Sequence, residues 1–158
     1  MLRVLAGLVL VILSGSSWCF GQAKGVDKTR LANEVKAEFQ HAWNGYKKYA
    51  WGNDDLKPLS KTFHNWYAEP LLMTPVDALD TMYLMGMKAE ADKTRDHITA
   101  NLKFDKDIYV QNFEITIRIL GGLLTNYQIT GDKKLLAMAE DLGTRLLPVF
   151  DSPTGLPY

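Results

Sequence analysis

Between Asn112 and Thr130 the chain reads NFEITIRILGGLLTNYQIT, an apolar stretch with only two charged side chains, Glu114 and Arg118. A carboxylate in such surroundings must be paired, hydrogen-bonded or put to use, because burying an uncompensated charge costs more than the stretch could supply. Glu114 and Arg118 stand four apart and share a face whether the segment is helical or extended. As chemistry, the pair offers a proton donor with a cation beside it. As structure, it is an i,i+4 ion pair that stabilises an exposed helix by about 0.3–0.5 kcal/mol. From spacing alone the ion pair is the commoner case.

A second group of chemical interest is the run Tyr49-Ala50-Trp51-Gly52-Asn53-Asp54-Asp55-Leu56-Lys57-Pro58. Gly, Asn, Asp and Pro force a loop there and set carboxylates beside aromatic rings. Such a loop suits sugars, whose apolar ring faces stack on aromatic side chains while their hydroxyls bond to carboxylates and amides. A solvated turn with Trp51 tucked into the core explains the same residues. His41, His64 and His97 have no second His, Cys or carboxylate at a metal-ligand spacing, so no metal ligand is assigned.

The elements that would carry these residues read as helices. Leu31, Val35, Phe39, Ala42, Trp43 and Tyr46 recur at threes and fours. Thr74 is placed to cap a helix with Pro75 at its first position, and Gly86 is placed to end it. Asp77 is expected to meet the free amides of that helix start, and Asp80 to be a buried hydrogen-bonding residue. Lys88 to Asn101 has little beyond Ala91 and Ile98 to bury and belongs on the outside.

In the opening stretch, Ile115, Ile117 and Ile119 alternate as in a strand, whereas Phe113, Ile117, Leu120 and Leu124 follow the helical period. Length decides for a helix that stops at Gly131-Asp132. Gly121-Gly122 in mid-helix costs about 1 kcal/mol per residue relative to Ala, which implies a second backbone packed very close. Lys133 to Leu147 is a last amphipathic helix ended by Pro148. The expectation is an all-α chain of stacked helical hairpins with no strand.

The 158 residues, 47% apolar and 23% charged, are those of a globular domain. Eighteen basic and eighteen acidic side chains cancel, without a basic run that would neutralise a phosphate backbone, so nucleic acid is not an expected partner. Met1-Leu2-Arg3, the apolar run Val4 to Leu13 and the polar Ser14 to Ser17 read as a secretory signal over residues 1–21, followed by a linker over 22–28 and the domain over 29–158. The expected location is secreted or periplasmic. A membrane becomes a partner only if the first segment stays as an uncleaved anchor, since it is shorter than the roughly 20 residues of a span. Cleavage after Gly21 would remove the one cysteine, Cys19, and leave a chain without disulfides.

Four segments in order, YAWGNDDLKPLS, VDALDTMYLMGM, NFEITIRILGGLLTNY and DLGTRLLPVFDSPTGLPY, resemble the N-terminal motifs of the family 47 glycoside hydrolases, the class I alpha-1,2-mannosidases. The resemblance covers roughly residues 39–158. It implies the first part of an (α/α)7 barrel and a calcium-dependent enzyme that removes terminal alpha-1,2-linked mannose from mannose-rich oligosaccharides with inversion. It makes Glu114 the catalytic general acid and Arg118 its neighbour in the sugar site. The resemblance also makes Asp54 and Asp55 substrate-binding, although Asn53 and Asp55 stand where the family loop has His and Glu. The other carboxylates and the calcium-binding threonine of the family lie beyond Tyr158, so this chain alone is expected to be inactive. The alternative is a non-catalytic helical module that binds mannose-containing glycans or a protein.

Overall fold

The computed structural model describes residues 25–157, so the signal segment and residues 22–24 of the linker lie outside the described residues. The chain divides into two units, Met1–Glu34 and Val35–Tyr158. In the first, the start of helix α1 (Lys28–Tyr49) is capped by Asp27, whose carboxylate accepts from the Arg30 amide at 2.9 Å. Arg30 and Glu34 pair one turn apart at 2.6 Å.

The second unit holds the rest of α1 and the remaining elements. These are a hairpin of β1 (Asp55–Lys57) and β2 (Thr62–His64), helices α2 (Met73–Leu84) and α3 (Lys88–Asn101), and a third helical run. That run comprises α4 (Asn112–Glu114), a π-helical segment (Ile115–Leu120) and α5 (Gly121–Thr130). Helix α6 (Lys133–Leu146) and a 3-10 turn (Leu147–Phe150) follow. The right-handed helical dihedrals of Glu114, Ile115, Leu120 and Gly121 make Asn112 to Thr130 one continuous helix. The architecture is otherwise all-α, as the periodicity predicts. The hairpin is a correction: Asp55, Leu56 and Lys57 pair with His64, Phe63 and Thr62 in antiparallel register.

The helices form two hairpins, α2 with α3 and the long composite helix with α6, stacked where α2 lies on the composite helix. Gly86 (φ 69°) and Gly131 (φ 70°) turn the chain at α2 and α5 in the left-handed conformation that costs glycine nothing. The two helices come closest at Gly122, where an added Cβ would stand 2.6 Å from Val76 Cγ1. The absent side chain is what lets the hairpins stack.

Burial selects between the two apolar stripes of the composite helix. Ile115, Ile119 and Leu123 are in the core with Val76, Leu79 and Met82 of α2. Phe113, Ile117 and Leu124 are exposed, so the helical period is right but the packed face is the other one. In helix α1 the predicted stripe is buried only towards its end: Trp43 and Tyr46 are buried, whereas Leu31 and Val35 are open. Helix α3 is peripheral as expected, and adds Thr94 to Ala91 and Ile98 on its buried face. Its Glu90 accepts from Trp43 Nε1 at 2.9 Å and from Lys47 Nζ at 2.7 Å, tying α3 to α1.

Candidate active site

Glu114 and Arg118 meet as their spacing predicts: Arg118 Nε donates to Glu114 Oε2 at 2.7 Å. The pair straddles the entry into the π-helical segment, in which Gly121 N–H reaches back to the Thr116 carbonyl. Single-turn π segments of this kind are frequent at functional sites, and nothing in the side-chain pattern announces one.

Arg118 has a second carboxylate partner that spacing cannot show. Its Nη1 donates to Asp77 Oδ2 at 2.9 Å, across 41 positions of chain. Asp77 was expected to meet free amides at the start of α2. It lies a turn too deep for that and turns outward to Arg118 instead. Desolvation pushes the Asp77 carboxyl above its ordinary range, with Asp80 and Glu114 adding to the rise and the Arg118 guanidinium opposing it. The three side chains stay partly open, at 21% for Glu114, 35% for Arg118 and 36% for Asp77. A ligand can therefore reach them.

Trp66 completes the group. Its ring lies 5.0 Å from the Arg118 guanidinium carbon, a cation–π contact worth about 0.5–1 kcal/mol at a partly open position. The indole N–H donates to Asp55 Oδ2, and Asp55 Oδ1 accepts weakly from the Thr74 hydroxyl at 3.5 Å. The His64 imidazole stands 3.8 Å from the same carboxylate. Asp55 remains half-buried and borders a pocket lined by Phe39, Trp43, Tyr46, Leu56 and Thr74, which neither Glu114 nor Arg118 lines.

Asp54, expected as a substrate contact, is placed differently. It is wholly buried at 0% exposure, and both oxygens are taken by backbone amides. Oδ1 accepts from Leu71 N at 2.7 Å and Met73 N at 3.2 Å, and Oδ2 accepts from Trp66 N at 3.0 Å. Leu72, between two of those amides, is held at φ 54°, a left-handed conformation that costs a non-glycine residue about 1–2 kcal/mol. Asp54 thus replaces Thr74 as the group that organises the start of α2. That helix begins at Met73 with Leu72 in the cap position and no side-chain cap of its own. Pro75 accordingly sits in the third helical position, where its missing N–H still costs nothing. Asp80 is half-buried and accepts from the amide and hydroxyl of Thr81.

Sequence reasoning missed Trp66 and the role of Asp77. Trp66 lies outside the four motifs, and Asp77 had a sufficient local explanation. Neither has a periodic signal that points to Arg118.

No three His, Cys, Asp or Glu side chains among the described residues come together as a metal site. Nor is any described helix long and apolar enough to cross a membrane.

The stacked hairpins superpose on part of the alpha-1,2-mannosidase from Trichoderma reesei with a TM-score of 0.72 and 30% identity, over 80% of this chain and 29% of that one. The fold is that of the helical hairpins of an α/α-barrel glycosidase. Residues 38–158 match the model of glycosyl hydrolase family 47, and the chain belongs to that family. It is 52% identical over 120 residues to the endoplasmic reticulum mannosyl-oligosaccharide 1,2-alpha-mannosidase of Rattus norvegicus, covering 76% of this chain and 18% of that protein. It is 46% identical over 133 residues to mannosyl-oligosaccharide 1,2-alpha-mannosidase MNS1 of Arabidopsis thaliana, covering 84% and 23% respectively. The chain therefore spans about a fifth of the length of these relatives.

Proposed function

We propose that this chain supplies the proton-donor side of a mannoside-hydrolysing site, acting on terminal alpha-1,2-linked mannose of mannose-rich oligosaccharides. The observation that carries the reading is the open Glu114–Arg118–Asp77 cluster in a chain of this family. Glu114 protonates the glycosidic oxygen as the bond breaks. Arg118, divided between two carboxylates, is held at the mouth of the site with its Nη2 edge bonded to no described residue, ready for a sugar hydroxyl. Asp55 is the remaining loop carboxylate with open surface for a substrate contact.

Inversion would require a second carboxylate about 6.5–9.5 Å from Glu114, with an activated water between it and the sugar. Calcium dependence and export through residues 1–21 belong to the same proposal, with the ion bound outside the described residues. The proposal includes that the chain alone does not turn over.

The test is a chimera in which residues 38–158 replace the matching segment of the rat mannosidase. Calcium-dependent release of mannose from an alpha-1,2-mannobiose is expected, falling by about 10²–10⁴-fold on Glu114→Gln, the usual worth of a general acid. A chimera that keeps its rate after Glu114→Gln refutes the assignment. Release by the unfused chain refutes its inactivity, and calorimetric binding of mannobiose by that chain without release would make it a glycan-binding module.

A further inference from the structure

We infer that Trp66 is a positioning residue for the sugar site: its ring face seats the Arg118 guanidinium so that the unbonded edge of Arg118 faces outward. The inference rests on the reading of Arg118 as a sugar contact and deepens it.

Among the described residues, hydrogen bonds fix Arg118 on two of its three nitrogens, Nε to Glu114 and Nη1 to Asp77. Both partners are flexible carboxylate side chains with open surface. Two such bonds leave the guanidinium plane free to tilt. A rigid aromatic face 5.0 Å from the guanidinium carbon removes that freedom, because a cation over a ring is attracted along the ring normal.

Trp66 is itself anchored at two points. Its amide is held by the buried Asp54 carboxylate, and its indole N–H by Asp55. Asp54 also grips Leu71 and Met73, at the start of the helix that carries Asp77. One buried carboxylate thus sets both the ring beneath Arg118 and the helix that presents Asp77. The ring, more than the indole nitrogen, does the seating, so another aromatic should replace Trp66 better than an aliphatic residue of similar bulk.

The experiment uses the full chain and nuclear magnetic resonance of the arginine Nε–H groups. In the wild type, nuclear Overhauser contacts from the Trp66 ring to the Arg118 side chain are expected. Trp66→Leu should move the Arg118 Nε–H signal out of its ring-shielded position and leave those of Arg95 and Arg145 in place. It should also raise the titration midpoint of the Asp77 carboxyl, which loses an ordered cation. Trp66→Phe should restore both signals towards the wild type. The inference is overturned if the wild-type contacts are absent, a result that does not depend on either variant folding. It is likewise overturned if Trp66→Leu moves neither signal, or if Trp66→Phe is as damaging as Trp66→Leu. None of these readouts involves a glycan, so failure of the chimera to release mannose would count against the proposed function and leave the seating of Arg118 standing.

Discussion

Replacing Asp54 by Asn changes one oxygen to an NH2 group at nearly constant volume, and the structure fixes what that costs. Three amides share the two Asp54 oxygens, those of Leu71 and Met73 on Oδ1 and that of Trp66 on Oδ2. The amide oxygen of Asn would keep the first two, and its NH2 would then face the Trp66 N–H, donor against donor. One unsatisfied buried N–H costs about 1–3 kcal/mol, and the two surviving bonds lose charge assistance worth about 1 kcal/mol each. Relief from burying a charge offsets part of this, leaving a net loss of about 2–4 kcal/mol. That is a large share of the roughly 5–15 kcal/mol by which a domain is stable. Urea unfolding followed by circular dichroism measures it, and a red shift of the Trp66 emission should accompany it if the loop loosens. Stability within about 0.5 kcal/mol of the wild type would refute the account of Asp54 as the buried anchor of the loop and of α2, and would return it to the substrate-contact role that the motif implies.

Two further substitutions probe the frame around the site. Gly122→Ala should gain about 1 kcal/mol of helix propensity but drive a methyl group to 2.6 Å from the stiff side chain of Val76, at an overpacking cost of about 1–3 kcal/mol. The melting temperature should fall, by about 2–4 °C for each net kcal/mol in a chain of this size, whereas an increase would show that the two helices are not in close contact. His97 packs against Trp51 with ring centroids 4.3 Å apart and a 35° tilt, and burial holds its imidazole below the ordinary value of 6.5. The unfolded chain therefore binds the proton more readily, and this residue costs stability as pH falls through about 6.5 and on through the lower folded value. His97→Phe should keep the ring contact with Trp51 and lessen the drop in melting temperature between pH 7.5 and pH 5. An equal drop in both proteins would show that His97 does not contribute to it.

What the sequence determined by itself is whatever helix geometry fixes locally. The i,i+4 spacing of Glu114 and Arg118 guaranteed that they could meet, and they do so at 2.7 Å. The paired glycines announced a close crossing, and Gly122 meets Val76 of α2 there, whereas Gly121 has only the Thr116 carbonyl of its own helical run within 4 Å. The ordered motifs carried the family, and with it the helical-hairpin fold.

Tertiary structure decided the rest. Which apolar stripe of the composite helix is buried depends on where α2 lands, so Ile115 and Ile119 are in the core while Phe113 and Ile117, equally apolar, stay outside. Asp77 and Trp66 reach Arg118 from 41 and 52 positions away, by arithmetic on their numbers, and no periodicity relates residues on different elements. Asp54 and Asp55 are neighbours of the same chemistry, yet one is sealed under three amides and the other stays half open. Local spacing sets which side chains can share a helix face. Only the packing of the hairpins sets which carboxylate faces the solvent and which cation lies over the ring.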